Sequence, residues 1–246
     1  LQGTNNTYKA HQRMRIHIHD RSFPDKKSLI DYGRDQVSLC MRRAGSGDYD
    51  LDDIYDALTT GHTISCSEHT SESMRREHIV STSLLLLEFD NNTKANCAKK
   101  TGLVSRIISP REVLDTLATV GFAPLCLYHS YSSTYQHPKF HLLFIVDFPH
   151  HDIEMVYRLL QDAFARLFTD ESPDNSNGST LIDRMSVRPE AIIFPTYGEE
   201  KMRLWEPSFY IPINEAVLLE LCSYLNFEAD PHNYSRSKKK VQKDIS

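Results

Sequence analysis

The pattern of apolar and polar positions divides the chain into short strands and amphipathic helices. Met14-Arg15-Ile16-His17-Ile18-His19 alternates with period two, as a half-buried strand does. Pro24-Asp25 opens a helical stretch to about Arg43, and Gly45-Ser46-Gly47 breaks it. A short helix is predicted from Leu51 to Leu58, then a strand near 62–67, with the polar segment 67–76 read as a loop. A strand follows over roughly 79–90. Its four consecutive leucines, Leu84–Leu87, call for burial on both faces.

Segment 91–109 is polar and basic. Pro110, the spacing of Val113, Leu114, Leu117 and Val120, and Gly121 as a stop predict a helix. Strands are expected at 125–130 and 140–146, then a helix from about Asp152 to Phe168 and an acidic loop over 169–179. A strand pair is expected at 191–195 and 203–211, and a helix at 213–225, capped near Asn214. From Asp230 the chain turns polar and basic, ending in Arg236, Lys238-Lys239-Lys240 and Lys243. This divides the chain into a catalytic-sized domain, 1–229, and a linker, 230–246, leading toward a further domain.

Strands and helices alternate irregularly, with hairpin-like neighbours, which favours an α+β or mixed α/β sheet over a doubly wound parallel one. No internal repeat and no Gly-rich phosphate loop occurs, against P-loop and Rossmann readings. A net charge of −5 excludes a global basic field, although a basic cleft in an acidic surface stays open. Cys40, Cys66, Cys97, Cys126 and Cys222 are scattered without a C-x-x-C pair, so reduced thiols in a cytoplasmic protein are expected, not a disulfide framework or structural zinc. The apolar runs fall short of the ~20 residues of a membrane span, and no signal peptide is recognisable. The start at Leu1 rather than Met suggests trimming.

The candidate chemistry begins at the end of the leucine strand. Glu88 and Asp90 stand two apart, so a strand projects both to one face, where they repel each other unless a cation neutralises them. Oxygen ligands of this kind suit a divalent metal used in phosphoryl transfer. In His137-Pro138-Lys139-Phe140-His141, the same rule puts Lys139 and His141 together, a cation and an imidazole suited to nucleotide phosphates. Asp183, after the acidic loop, could supply a third carboxylate, as two-metal phosphoryl transfer requires.

The order of acid pair, histidine strand and later Asp resembles the archaeo-eukaryotic primase superfamily. The likeness is greatest to the primase-polymerase domains of replication proteins from bacterial viruses, plasmids and genomic islands. It is carried by Thr60-Gly61-His62, Arg75-Arg76-Glu77-His78, Leu84–Asn91, Tyr128–Ser132, His137–Asp147 and Asp183–Thr196, within residues 60–196. The resemblance implies a primase-like core with an RRM-like sheet and an additional N-terminal α/β unit. It implies that Glu88, Asp90 and Asp183 hold Mg²⁺ or Mn²⁺ and that His141, Lys139 and Arg75 or Arg76 contact the nucleotide. It further implies (d)NTPs and single-stranded DNA as substrates, and a helicase domain or partner. The chain departs from the pattern in carrying Glu88 for Asp, Phe140 where a small residue is common, and Ala191 for an arginine that Arg188 would replace.

Three rival readings remain. His17-Ile18-His19 matches the metal triplet of rolling-circle initiator nucleases, with Tyr128, Tyr131 or Tyr135 as nucleophile. A DNA-binding domain on a catalytically degenerate primase fold is the second. A nuclease using the same carboxylates to activate water is the third.

Overall fold

The computed structural model describes residues 13–33, 36–37, 46–70, 75–98, 102–148, 153–170 and 180–226. The N-terminal alternation folds as two strands, β1 (Met14–Ile16) and β2 (Ile18–Ser22), with His17 between them. Helix α1 (Lys26–Tyr32) starts on a capping box between Asp25 and Ser28 and stops at Gly33, whose φ of 89° a side chain would strain. The helical stretch predicted to reach Arg43 is interrupted at Gly33, with Gln36 and Val37 helical again, and residues 38–45, Cys40 among them, lie outside the described residues. Strand β3 (Gly47–Tyr49) pairs antiparallel with β1. Helix α2 (Leu51–Thr60) is capped by Asp50 and ends at Gly61 in the left-handed conformation.

Strands β4 (His62–Ser65) and β5 (Ser67–His69) follow, the second where a loop was predicted. After a 3₁₀ turn at Arg76–His78, the predicted strand over 79–90 divides into β6 (Ile79–Thr82) and β7 (Leu84–Phe89). The two belong to different sheets because the Ser83 and Leu84 N–H groups both turn aside to the Cys66 carbonyl. Helix α3 (Pro110–Thr119), capped by Ser109, leads to strands β8 (Cys126–His129) and β9 (Phe140–Ile145) and helix α4 (Ile153–Leu167). Strands β10 (Ile192–Ile193) and β11 (Met202–Trp205) do not pair with each other as predicted: β10 joins β4, and β11 joins β8. Helix α5 (Glu215–Tyr224) is capped by Asn214. The expected linker at 230–246 lies outside the described residues.

The result is a mixed α+β fold with small antiparallel sheets, ordered β1-β3, β2-β4-β10, β5-β6 and β7-β9-β8-β11. The last sheet is the central layer. Leu85, Leu87 and Phe89, with Leu127, Phe140, Leu142 and Phe144, face a core closed by Val113 and Leu117 of α3, Leu160 and Phe164 of α4, and Leu221 of α5. Leu84, Leu86, Cys126, Leu143 and Ile145 face a second core with Ile16, Ile54, Leu58 and Ile64. Burial on both faces is what the leucine run required. Cys66, Cys97, Cys126 and Cys222 are free thiols, and among the described residues no helix is long and apolar enough to cross a membrane.

His17 and His69 pack between the small sheets, their rings 6.0 Å apart, and His17 Nε2 accepts the His69 backbone N–H at 3.0 Å. Burial, then the neighbouring His17, pulls the His69 pKa down to about 4. The unfolded chain therefore takes up a proton near the ordinary value of 6.5 while the folded one does not. The contribution of His69 to stability is present above that value and lost as pH falls toward 4. Thermal denaturation across this window should show a falling melting temperature, and His69→Gln should flatten the fall; an unchanged slope would exclude His69 as its source.

Candidate functional site

In the β7–β9 ladder Glu88 lies opposite His141 and Phe89 opposite Phe140, and in the β8–β9 ladder Tyr128 lies opposite His141. One row across the sheet thus reads Glu88, His141, Tyr128. On the other face Phe89 and Phe140 stack at 5.0 Å, and Phe168 meets Phe89 edge-on, which fixes the strand ends. His141 Nε2 is 3.2 Å from Glu88 Oε1 but off the axis of a hydrogen bond. Both ring nitrogens of this buried histidine are without a hydrogen-bond partner. Such orphaned groups are rare in native interiors and ask for an explanation.

Asp90 stands one residue beyond β7. Its Oδ1 accepts from Lys139 Nζ at 2.8 Å and its Oδ2 from Asn92 Nδ2 at 3.1 Å. Burial pushes the Asp90 carboxyl up, but the hydrogen bond and charge of Lys139, with His141 and Asn92, outweigh it and hold the group below the ordinary carboxylate value. The Asp90 carbonyl accepts from His137 Nε2 at 2.8 Å. The chain can turn here because Asn91 adopts a φ of 51°, which asparagine tolerates better than most residues. The buried Asn91 side chain donates to the carbonyls of Ile108 (2.9 Å) and Pro138 (2.7 Å) and accepts the Ile108 N–H (2.9 Å). It ties the strand end to the two loops beside it.

Asp183 comes to the same place along the free edge of β7. Its N–H donates to the Glu88 carbonyl at 2.9 Å. Ser186 Oγ accepts the Glu88 N–H at 3.1 Å and donates to the Asp183 carbonyl at 2.7 Å. Burial raises the Asp183 pKa; the Met185 N–H on its Oδ1 opposes this, the charges of Glu88 and Asp90 add to it, and Arg188 opposes it again. The carboxylates therefore sense one another. Among the described residues, however, no three or more such side chains converge closely enough to hold an ion, and both oxygens of Asp90 are engaged by protein donors.

The expected arginine contacts divide. Arg188 lies beside Asp183, its guanidinium on the Met185 sulfur. Arg76 makes a paired contact with Glu190 (2.8 and 3.2 Å) and approaches Glu154 at 3.7 Å, while Arg75 is largely exposed beside Glu77. Glu154 opens α4, one turn before Tyr157, whose hydroxyl donates to the Leu84 carbonyl at 2.7 Å. Leu84 begins the six-residue strand that Glu88 nearly ends, roughly 13 Å away at about 3.3 Å per residue. Arg76, and Arg75 beside it, thus belong to the far end of β7, held there by carboxylates. Ala191 packs on the second core, and its carbonyl accepts the Cys66 N–H.

The histidine triplet does not converge on one point. His17 sits between two strands and turns to His69, whereas the His19 ring lies against Phe23 and Tyr32 and its Nδ1 accepts the Arg21 N–H at 2.9 Å. The Tyr128 hydroxyl donates to the Phe194 carbonyl and that of Tyr131 to the Phe23 carbonyl, while Tyr135 is fully exposed. Sequence reasoning passed over Asn91, Asn92, His137 and Ser186. The Asn-Asn pair directly after Asp90 was the available signal, because such residues favour tight turns at strand ends.

Asn91→Ala removes three buried hydrogen bonds and puts alanine in the left-handed region. Urea unfolding should show a loss of about 1–3 kcal/mol; a change within experimental error would mean that the loops hold the strand end without it.

Compared with known proteins, the chain matches no family model, and no curated protein and no solved structure shows significant similarity to it.

Proposed function

We propose that this chain is a primase-polymerase domain that carries out template-directed nucleotidyl transfer from (d)NTPs, in the cytoplasm and in the service of a replicating mobile element. The observation that carries the reading is the joining of Glu88, Asp90, His141, Lys139 and Asp183 at one end of the β7–β9 ladder, by strand register and by the Asp183–Glu88 backbone bond. The unsatisfied nitrogens of His141 support a phosphate ligand there. Strand order adds support for an RRM-like core. In the order β7-β9-β8-β11 the first strand of the unit stands beside its third, and the turn at 183–186 lies on the free edge of β7.

The three carboxylates are hard oxygen donors of the kind Mg²⁺ or Mn²⁺ takes, and Asp183, raised first by burial, is raised further by the charges of Glu88 and Asp90. As they stand they do not converge on an ion; Glu88, Asp90 and Asp183 would hold the metal only with Asp90 released by Lys139 and the three drawn together. Bound there, the metal would lower the pKa of the attacking hydroxyl and offset charge on the leaving phosphates. His141 would donate to a phosphate oxygen, and Lys139, freed from Asp90, would follow the same charge. Ser186 and Asn91 would keep the acid set in register without touching substrate. Single-stranded DNA is the template in this reading, and a helicase domain or partner its companion.

A second reading, a DNA-binding domain without catalysis, is favoured by the Lys139–Asp90 pair, which leaves that carboxylate satisfied within the protein. One experiment separates the two. Labelled dNTPs and rNTPs are offered with primed and unprimed single-stranded DNA in Mg²⁺ and in Mn²⁺. Incorporation should fall about 100-fold or more in Asp90→Ala and in Asp183→Asn, and His141→Gln should raise KM for the nucleotide. Incorporation that survives Asp90→Ala overturns the mechanism; template binding with no incorporation in either metal selects the second reading.

A further inference from the structure

Beside the acid site, the β8–β9 connection, β11 and the segment leading into α3 form an open cleft of about 640 Å³ that none of the candidate acids lines. Its charged lining residues are Lys201 and Arg203; among the described residues no carboxylate lines it. In a chain of net charge −5, a cleft lined by two cations and no acid favours an anion locally, although Arg203 also borders Asp52 and Glu199 on its other side. Arg203 is exposed and has no carboxylate partner among the described residues, while Lys201 Nζ stands 5.3 Å over the Tyr131 ring. Neutral hydrogen-bonding side chains, Ser130 and Gln136 among them, and the apolar Ile107 complete the wall.

The rim is formed by Tyr135, whose ring is wholly in solvent. Its loop is not slack. Thr134 and His137 exchange backbone hydrogen bonds at 3.1 and 3.2 Å, and Ser133 Oγ bonds His129 Nδ1 at 2.9 Å and accepts the Lys139 N–H at 3.0 Å. An aromatic ring left in water on a bonded loop forfeits burial and is available for stacking. The same loop ends in Lys139 and His137, which hold the side chain and the carbonyl of Asp90. A ligand lying along the cleft therefore leads toward the acid pair.

We propose that this cleft binds a single nucleic-acid strand, with a base stacked on Tyr135 and phosphates on Arg203 and Lys201. The inference rests on the nucleotidyl-transfer reading for its choice of ligand, but it is read out by binding alone. A fluorescein-labelled 20-mer of dT, or of rU to separate DNA from RNA, is titrated with the full chain in EDTA without nucleotide, and anisotropy is followed. Tyr135→Ala should weaken binding about fivefold or more. Arg203→Glu should weaken it at least as much and lower the slope of log K against log salt by about 0.7 for each phosphate no longer neutralised. Lys27→Glu, the same charge reversal on exposed α1, should leave it unchanged. Equal weakening by Lys27→Glu would reduce the effect to net charge and overturn the proposal, as would wild-type affinity in both Tyr135→Ala and Arg203→Glu. If those two variants bind normally while the wild type extends primers, the cleft inference fails and the proposed function stands. If the wild type incorporates nothing yet both substitutions weaken strand binding, the cleft inference stands and the polymerase reading fails.

Discussion

Burial of the β7–β9 ladder on both faces is the constraint from which the rest of this structure follows. Leu84 to Leu87 alternate between two cores, so the ladder has no solvent face along most of its length. Polar chemistry is admitted only where the strands run out, and there Glu88 and His141 take the places that leucines hold earlier. Register is fixed by the same fact. A slip of one residue would exchange Leu87 and Glu88 between faces, at a cost on the order of several kcal/mol in lost burial and a stranded charge. The geometry of the acid end is thus inherited from apolar packing, and the Phe89–Phe140 stack beneath it acts in the same sense.

Charge is handled differently at the two ends of the strand. At the Leu84 end Arg76 is paired with Glu190 and approaches Glu154, which ties distant parts of the chain together. At the Asp90 end Lys139 meets Asp90, Arg188 lies beside Asp183, and His141 faces Glu88 without a hydrogen bond. The first arrangement is tied by a paired contact. The second leaves a buried imidazole without a hydrogen-bond partner.

What could be read in the sequence was local. The leucine run declared its own two-sided burial, and Pro110 with the apolar spacing after it declared α3. The capping asparagine of α5 was visible for the same reason. Partner choice was not visible, because it depends on contacts between residues far apart. The separation of β10 and β11 into two sheets, the Arg76–Glu190 pair and the division of the 79–90 strand at Ser83 are of this kind. The His17-Ile18-His19 triplet misled through its period-two assumption, which fails where His17 lies between strands. At the candidate site, the order of the acids was legible but the docking of Asp183 on the Glu88 backbone was not, since Ser186 and the main chain carry it.

The Lys139–Asp90 pair has a thermodynamic side. Sites that gather acids with no internal counter-charge make folding conditional on an ion, so that chelation unfolds the protein. Here the strand end carries its own ammonium, and the Asp90 carboxylate is balanced within the protein. The strand end therefore needs no ion to offset Asp90 when the protein folds. Any cation proposed for it would first have to displace that lysine.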